Sequence, residues 1–131
     1  RTRLDDCGTA EGDFSGNDFP GAPSVTAALG AAYVPSTGVS AAVTVAHTGT
    51  YFSSPGGGLE GLRNEPLSEV EARTLVTARL GYVVQSTTRA TLAGTAFAVN
   101  LFDVDFLSSR AEAFAAGGRP RLLGLELRLT Y

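Results

Sequence analysis

The sequence predicts an all-β fold, an antiparallel meander of about five long strands. Three observations carry this. Apolar residues alternate with small or polar ones over stretches of 10–13 residues, the period-two pattern of a pleated strand with one apolar face. The connections between these stretches alternate long, short, long, short, long. Charge is segregated as well: 24–34, 39–51 and 90–102 contain no Asp, Glu, Lys or Arg.

The elements follow in order. The opening RTRLDD is expected to be the end of a strand. In SVTAALGAAYV (24–34), Val25, Ala27, Leu29, Ala31 and Tyr33 share one face, and Thr26, Ala28, Gly30 and Ala32 the other. VPSTG makes a short turn. VSAAVTVAHTGTY (39–51) sets Val39, Ala41, Val43 and Val45 against Ser40, Ala42, Thr44, Ala46 and Thr48. A long Gly/Pro-rich loop leads to RTLVTARLGYVV (73–84), where Val76, Ala78, Leu80 and Tyr82 oppose Leu75, Thr77, Arg79 and Gly81. QSTTR is a second short turn. ATLAGTAFAVNLF (90–102) is strand-like with a blurred alternation, because Phe97 and Val99 fall opposite Leu92 and Ala96. After the loop DVDFLSSRAEAFAAGGRP, whose SSRAEAFAA could instead form a short helix, LLGLELRLTY closes the meander. There Leu123, Leu125, Leu127, Leu129 and Tyr131 alternate with Gly124, Glu126, Arg128 and Thr130.

Composition narrows the function classes. At 131 residues and 44% apolar content the chain is long enough for one domain and too apolar to be disordered. Its net charge of −3 gives no basic stripe of the kind nucleic acid requires. Cys7 is the only cysteine, so neither an internal disulfide nor a cysteine-based metal set is available. No run approaches the ~20 apolar residues of a membrane helix, a test that leaves membrane strands open.

Three cues favour lipid over a protein core as the partner of the apolar rows. Outer-membrane barrels systematically alternate short periplasmic turns with long outer loops. The face opposite the apolar rows is built from Ala, Gly, Ser and Thr rather than the Lys, Glu and Gln of a wet soluble sheet, and Arg79, Glu126 and Arg128 all lie on it. The strands match a tilted membrane crossing better than the usual soluble strand of about 5–6 residues. Tyr33, Tyr51, Tyr82 and Tyr131 sit near row ends, as in an interfacial aromatic girdle.

GYVV, NLFD and the closing GRPRLLGLELRLTY resemble the C-terminal end of TonB-dependent outer-membrane receptors. SGNDFPGAPSVTAALGAAY and HTGTYFSS resemble earlier strands of that barrel, in the same order. The resemblance runs from about residue 16 onward. It implies an outer-membrane location with the long loops extracellular and the C-terminus periplasmic. It further implies that the chain is the C-terminal fragment of a barrel of about 22 strands, the plug domain and TonB box being absent from it. The implied function is energised import of a ferric siderophore or similar large nutrient, with no enzymatic step and no cofactor. The implied partners are membrane lipid, the barrel-assembly machinery and, through the plug part alone, the TonB complex. Leu127, Leu129 and Tyr131 would form the C-terminal assembly signal, and Cys7, by itself readable as an inert unpaired thiol, would in this family instead pair with a loop cysteine upstream. The alternatives are a small passive outer-membrane barrel and a soluble β-sandwich binding module.

Candidate chemistry is sparse. His47, the only histidine, lacks partners at ligand spacing and falls on an apolar row, which suits an interfacial position. No GxSxG elbow accompanies it, so no catalytic residue is expected. Asp103 and Asp105 form a DxD pair without a calcium-loop pattern, and turn or capping bonds from Asn100 and Asp103 are expected instead. SPGGGLEG lacks the GK[ST] ending of a phosphate loop. Arg79, Glu126 and Arg128 are expected to face the lumen, as an ion pair, a plug contact or a substrate contact. Phe52, Arg63, Phe106 and Phe114 are the outer-loop candidates for ligand contact. No metal site is expected.

Overall fold

The computed structural model describes residues 3, 8–9, 12–13, 16–54, 66–87, 90–111 and 114–131. In chain order its elements are β1 (Gly8–Thr9), β2 (Gly12–Asp13), β3 (Thr26–Tyr33), β4 (Val39–Thr48) and β5 (Tyr51–Phe52). A short 3₁₀ turn (Pro66–Ser68) precedes β6 (Glu69–Val70), β7 (Arg73–Thr87) and β8 (Ala90–Val99). The chain closes with β9 (Leu107–Ala111), β10 (Phe114–Gly117) and β11 (Leu122–Thr130). The fold is all-β and antiparallel, as the alternation predicts, and no α-helix occurs among the described residues.

The five long strands form one sheet in the order β11-β8-β7-β4-β3. The remaining strands make separate two-stranded ladders, β1-β2 ahead of the first long strand, and β5-β6 and β10-β9 in segments joining long strands. The sheet is therefore a sequential meander. Two units are distinguished by their internal contacts. A sheet unit comprises Ala28–Ala46, Thr74–Val104 and Arg119–Tyr131, and a loop unit comprises Arg1–Ala27, His47–Arg73 and Asp105–Gly118.

Several expectations are sharpened. β7 continues to Thr87, with a register shift between Gln85 and Thr87, so most of the expected QSTTR turn is strand. The helical option for SSRAEAFAA is overturned: the segment is a hairpin in which Ala115 pairs with Arg110 and Ala116 with Ser109. Ser108 reinforces it, its hydroxyl donating to the Ala116 and Gly117 carbonyls at 3.1 and 3.3 Å. Of the expected strand end RTRLDD only Arg3 is described, bridged to Asp18. Cys7 lies outside the described residues, and so does its expected pairing.

Register fixes which side chains share a face, because residues directly opposite in an antiparallel ladder point the same way. On one face Leu123, Leu125, Leu127 and Leu129 lie opposite Ala98, Ala96, Gly94 and Leu92, which in turn face Ala78, Leu80, Tyr82 and Val84. The other face carries Gly124, Glu126, Arg128 and Thr130 against Phe97, Thr95, Ala93 and Thr91, followed on β7 by Arg79, Gly81 and Val83. Close approaches extend the assignment to the remaining strands. A Cβ on Gly81 would meet the Ser40 hydroxyl, and one on Gly30 would lie 3.6 Å from the Thr44 hydroxyl. Ser40 and Thr44 thus share the face of Arg79, and the rows Val39–Val45 and Leu29–Tyr33 join that of the leucines.

This arrangement explains the blurred alternation of β8. Phe97 leaves the apolar face and lays its ring over Gly124, where a Cβ would overlap the ring carbons. A glycine beside a large aromatic lets the ring cover exposed backbone on the neighbouring strand. Gly124→Ala is expected to destabilise the sheet by about 1–3 kcal/mol through overpacking. Adding Phe97→Ala should return most of that loss in an unfolding titration; equal loss in both variants would show that the ring is not the obstacle. The turn after β3 has its own glycine requirement: Gly38 has φ 84° and its carbonyl accepts from Val83 N–H at 2.9 Å.

The sheet has almost no core. Val70, in the loop unit, and Ala98, in the sheet, are the buried apolar residues among those described. Leu123, Leu125, Leu127 and Leu129 are 63–69% exposed, and Leu29 is 77% exposed. β3 is exposed along its whole length, on both faces.

Candidate functional site

The loop unit holds a cavity of about 230 Å³ lined by Asp18, Ala22, Pro23, Ser24, Thr50, Tyr51, Phe52 and Glu69. Backbone bonds shape it: Gly21 N–H donates to the Phe52 carbonyl at 2.7 Å and Ser24 N–H to the Thr50 carbonyl at 3.0 Å. Gly49 N–H donates to the Val25 carbonyl at 2.8 Å, tying the segment entering β3 to the segment leaving β4. Phe52 pairs with Glu69 across the β5-β6 ladder, which brings a carboxylate and an aromatic side chain to one wall. The lining carries two carboxylates, two aliphatic hydroxyls and two aromatic rings, and no basic side chain. Such a wall suits neutral or cationic ligand groups better than anionic ones.

An arginine stack stands beside this cavity. The Arg73 guanidinium carbon lies 4.9 Å from the Phe106 ring centroid and 5.7 Å from that of Tyr51, within cation–π range of both. Arg73 also donates to the Leu107 carbonyl at 3.5 Å. The Tyr51 hydroxyl donates to the Ser108 carbonyl at 2.6 Å. Ser53 completes the tie: its hydroxyl proton is shared between the Ser68 carbonyl, 2.9 Å away, and the Arg110 carbonyl, while Arg110 N–H donates to its oxygen at 3.0 Å. These bonds hold the β9-β10 hairpin to β5 and β6 through Tyr51, Ser53 and Arg73.

The ligand candidates from sequence thus separate. Phe52 lines the cavity. Phe106 is a packing residue, lying beneath Arg73 and filling the space a side chain at Gly118 would need. Arg63 lies outside the described residues, as does the side chain of Phe114. Sequence reasoning overlooked Tyr51 as a loop tie, Arg73 as a stacked cation, and the carboxylates Asp18 and Glu69. The available signal was weak: aromatics just beyond the end of one long strand and an Arg opening another.

In the sheet unit, Arg79, Glu126 and Arg128 do share one face. Glu126 and Arg128 pair with each other along β11, carboxylate to guanidinium, at 3.2 Å, with both side chains more than half exposed. An exposed pair of this kind contributes roughly 0–1 kcal/mol in water. Arg79 is exposed, stands opposite Phe97 in register, and makes no ion pair among the described residues. His47 is half-buried near the end of β4, on the apolar row.

Asn100 and Asp103, the ends of NLFD, form a clamp rather than a metal site. Both adopt left-handed φ, 52° and 55°, which Asn and Asp tolerate. Asn100 is 2% exposed. Its amide donates to the Val104 carbonyl at 3.0 Å and the Arg119 carbonyl at 3.3 Å, and its oxygen accepts from Val104 N–H at 2.9 Å. Asp103 accepts from Arg121 N–H at 2.9 Å and pairs with the Arg121 guanidinium at 3.5 Å. The clamp joins the exit of β8 to the entry of β11. Among the described residues no group of three His, Cys, Asp or Glu side chains converges as a metal site.

No family model matches the chain, and a search of curated proteins finds no match either.

Proposed function

We propose that the five-stranded sheet crosses an outer membrane as part of a β-barrel. In this reading the leucine–valine face meets lipid and the face bearing Arg79, Glu126 and Arg128 meets the lumen. One observation carries it: a single uncharged apolar face runs across all five strands, and nearly all its large side chains, the β11 leucines foremost, stay exposed. A soluble sheet buries such a face under helices or a second sheet, and no such layer occurs among the described residues. That counts against the soluble β-sandwich. Strands of eight to fifteen residues also suit a crossing that needs about 9–11.

Within that reading the protein serves as the barrel part of a TonB-dependent receptor, importing a ferric siderophore or a similar large nutrient. The motif order supports this reading; in this chain the Asn100–Asp103 clamp links NLFD to the PR of the closing strand. The cavity beside Tyr51 is the place in the loop unit for ligand to dock. Its acidic lining favours a neutral or cationic chelate over a polyanionic one. Arg79, with no acid paired to it in the sheet, serves as a lumen contact for an acidic group of the plug. Fractionation tests the membrane assignment: the protein should stay with outer membranes through a high-salt and urea wash and require detergent for release. Recovery as a detergent-free soluble monomer would end this reading.

A further inference from the structure

The cavity of the loop unit is selective in both size and hydrogen bonding. It holds about 230 Å³, below the roughly 300–1,000 Å³ of pockets that enclose a whole drug-sized ligand. It therefore receives an arm of a ligand rather than all of one. Its side chains offer acceptors and rings but few donors. The Asp18 and Glu69 carboxylates accept only, the Ser24 and Thr50 hydroxyls can accept, and the lining has no Lys, Arg, His, Asn, Gln or Trp. Tyr51 adds no donor either, because its hydroxyl hydrogen goes to the Ser108 carbonyl at 2.6 Å. The complement of such a wall is a positively charged group rich in N–H.

Other occupants fit these residues less well. A bare metal ion needs several ligands converging on one point, and no group of three His, Cys, Asp or Glu side chains does so among the described residues. An anion would face two carboxylates with no basic side chain in the wall. Arg73 shows how this part of the chain holds an organic cation: from outside the lining, its guanidinium lies over the Tyr51 ring at 5.7 Å. Phe52 and Glu69, paired across the β5-β6 ladder, bring a second ring and a carboxylate that makes no ion pair among the described residues. We infer that the cavity is a subsite for a single protonated amine or guanidinium arm. Glu69 is its counter-charge, Tyr51 and Phe52 are its aromatic wall, and the Ser24 and Thr50 hydroxyls accept its N–H groups. As the mark of an imported substrate class this rests on the transport reading above; as a binding site it stands apart from it.

The test titrates the purified full chain, in detergent where fractionation shows the need, with n-butylguanidinium, its neutral isostere n-butylurea, and pentanoate. Binding is read by NMR at the Gly21 and Ser24 amides, whose bonds shape the cavity. The expected result is that butylguanidinium binds, butylurea binds about two- to tenfold more weakly, and pentanoate does not bind. Glu69→Gln, which keeps the side chain's size, should weaken butylguanidinium about two- to fivefold and leave butylurea unchanged. Phe52→Leu should weaken butylguanidinium by a similar factor. Equal affinity for the two isosteres, binding of pentanoate in preference, indifference to Glu69→Gln, or no binding at all would overturn the inference. The probe comparison needs no variant, so it decides the matter even if Phe52→Leu disturbs the ladder. Fractionation keeps the two ideas apart. Guanidinium selectivity in a protein released without detergent keeps the subsite and ends the membrane reading; a membrane-retained protein without that selectivity does the reverse.

Discussion

Leu125→Arg is expected to lower the stability of the membrane-inserted sheet by about 2–4 kcal/mol, the cost of a charged side chain near the bilayer midplane on a barrel's lipid face. Leu125 is mid-strand on β11, opposite Ala96, and 69% exposed. The adjacent Glu126→Arg serves as control, since it places the same side chain on the opposite face. It gives up only an exposed ion pair, worth about 0–1 kcal/mol. Urea titration of protein reconstituted into lipid vesicles, read by heat-modifiable gel mobility, gives both values. In water an exposed leucine tolerates substitution within about 0.5 kcal/mol, so near-equal, small effects at the two positions would defeat the lipid-facing assignment.

Asn100→Ala should cost about 2–4 kcal/mol in the same titration. The substitution removes three hydrogen bonds at a buried site, leaving the Val104 N–H and the Val104 and Arg119 carbonyls to find other partners. It also puts alanine at φ 52°. Each stranded buried group costs roughly 1–3 kcal/mol, partly relieved by water near the loop. Asn100→Asp keeps the acceptor for Val104 N–H and the tolerance for left-handed backbone, so its loss should be the smaller. A loss under about 0.5 kcal/mol for the alanine variant would show that the clamp does not hold β8 to β11.

The strands were legible because each follows a local rule. Period two, turn residues and charge segregation place β3, β4, β7, β8 and β11 with boundaries within a few residues. The pattern was less telling where a distant residue decided the local outcome. Phe97 breaks the pattern of β8 because Gly124, on another strand, leaves room for its ring. The hairpin at β9 and β10 has a helix-compatible sequence, SSRAEAFAA, and the ties from Tyr51, Ser53 and Arg73 hold it as strand. NLFD was readable as a turn, since Asn and Asp favour such backbone. That its acceptors and donors lie at Val104, Arg119 and Arg121 was not, because nothing in the spacing joins residue 100 to 119. The face shared by Arg79, Glu126 and Arg128 followed from parity alone. The pairing of Glu126 with Arg128, and the absence of an acid paired with Arg79 among the described residues, showed only in the structure.

The scarcity of buried side chains bears on when this sheet can exist. Burial of apolar area is what ordinarily offsets chain entropy, at roughly 25 cal/mol for each Å² withdrawn from water. With Val70 and Ala98 as the buried apolar residues among those described, the chain withdraws less surface than a domain of its length ordinarily does. The offsetting burial must then come from whatever surrounds the exposed leucine row. Under the membrane reading proposed above, folding and arrival in lipid become one thermodynamic event, and a chain waiting in water is then expected to be held unfolded by a chaperone rather than pre-assembled.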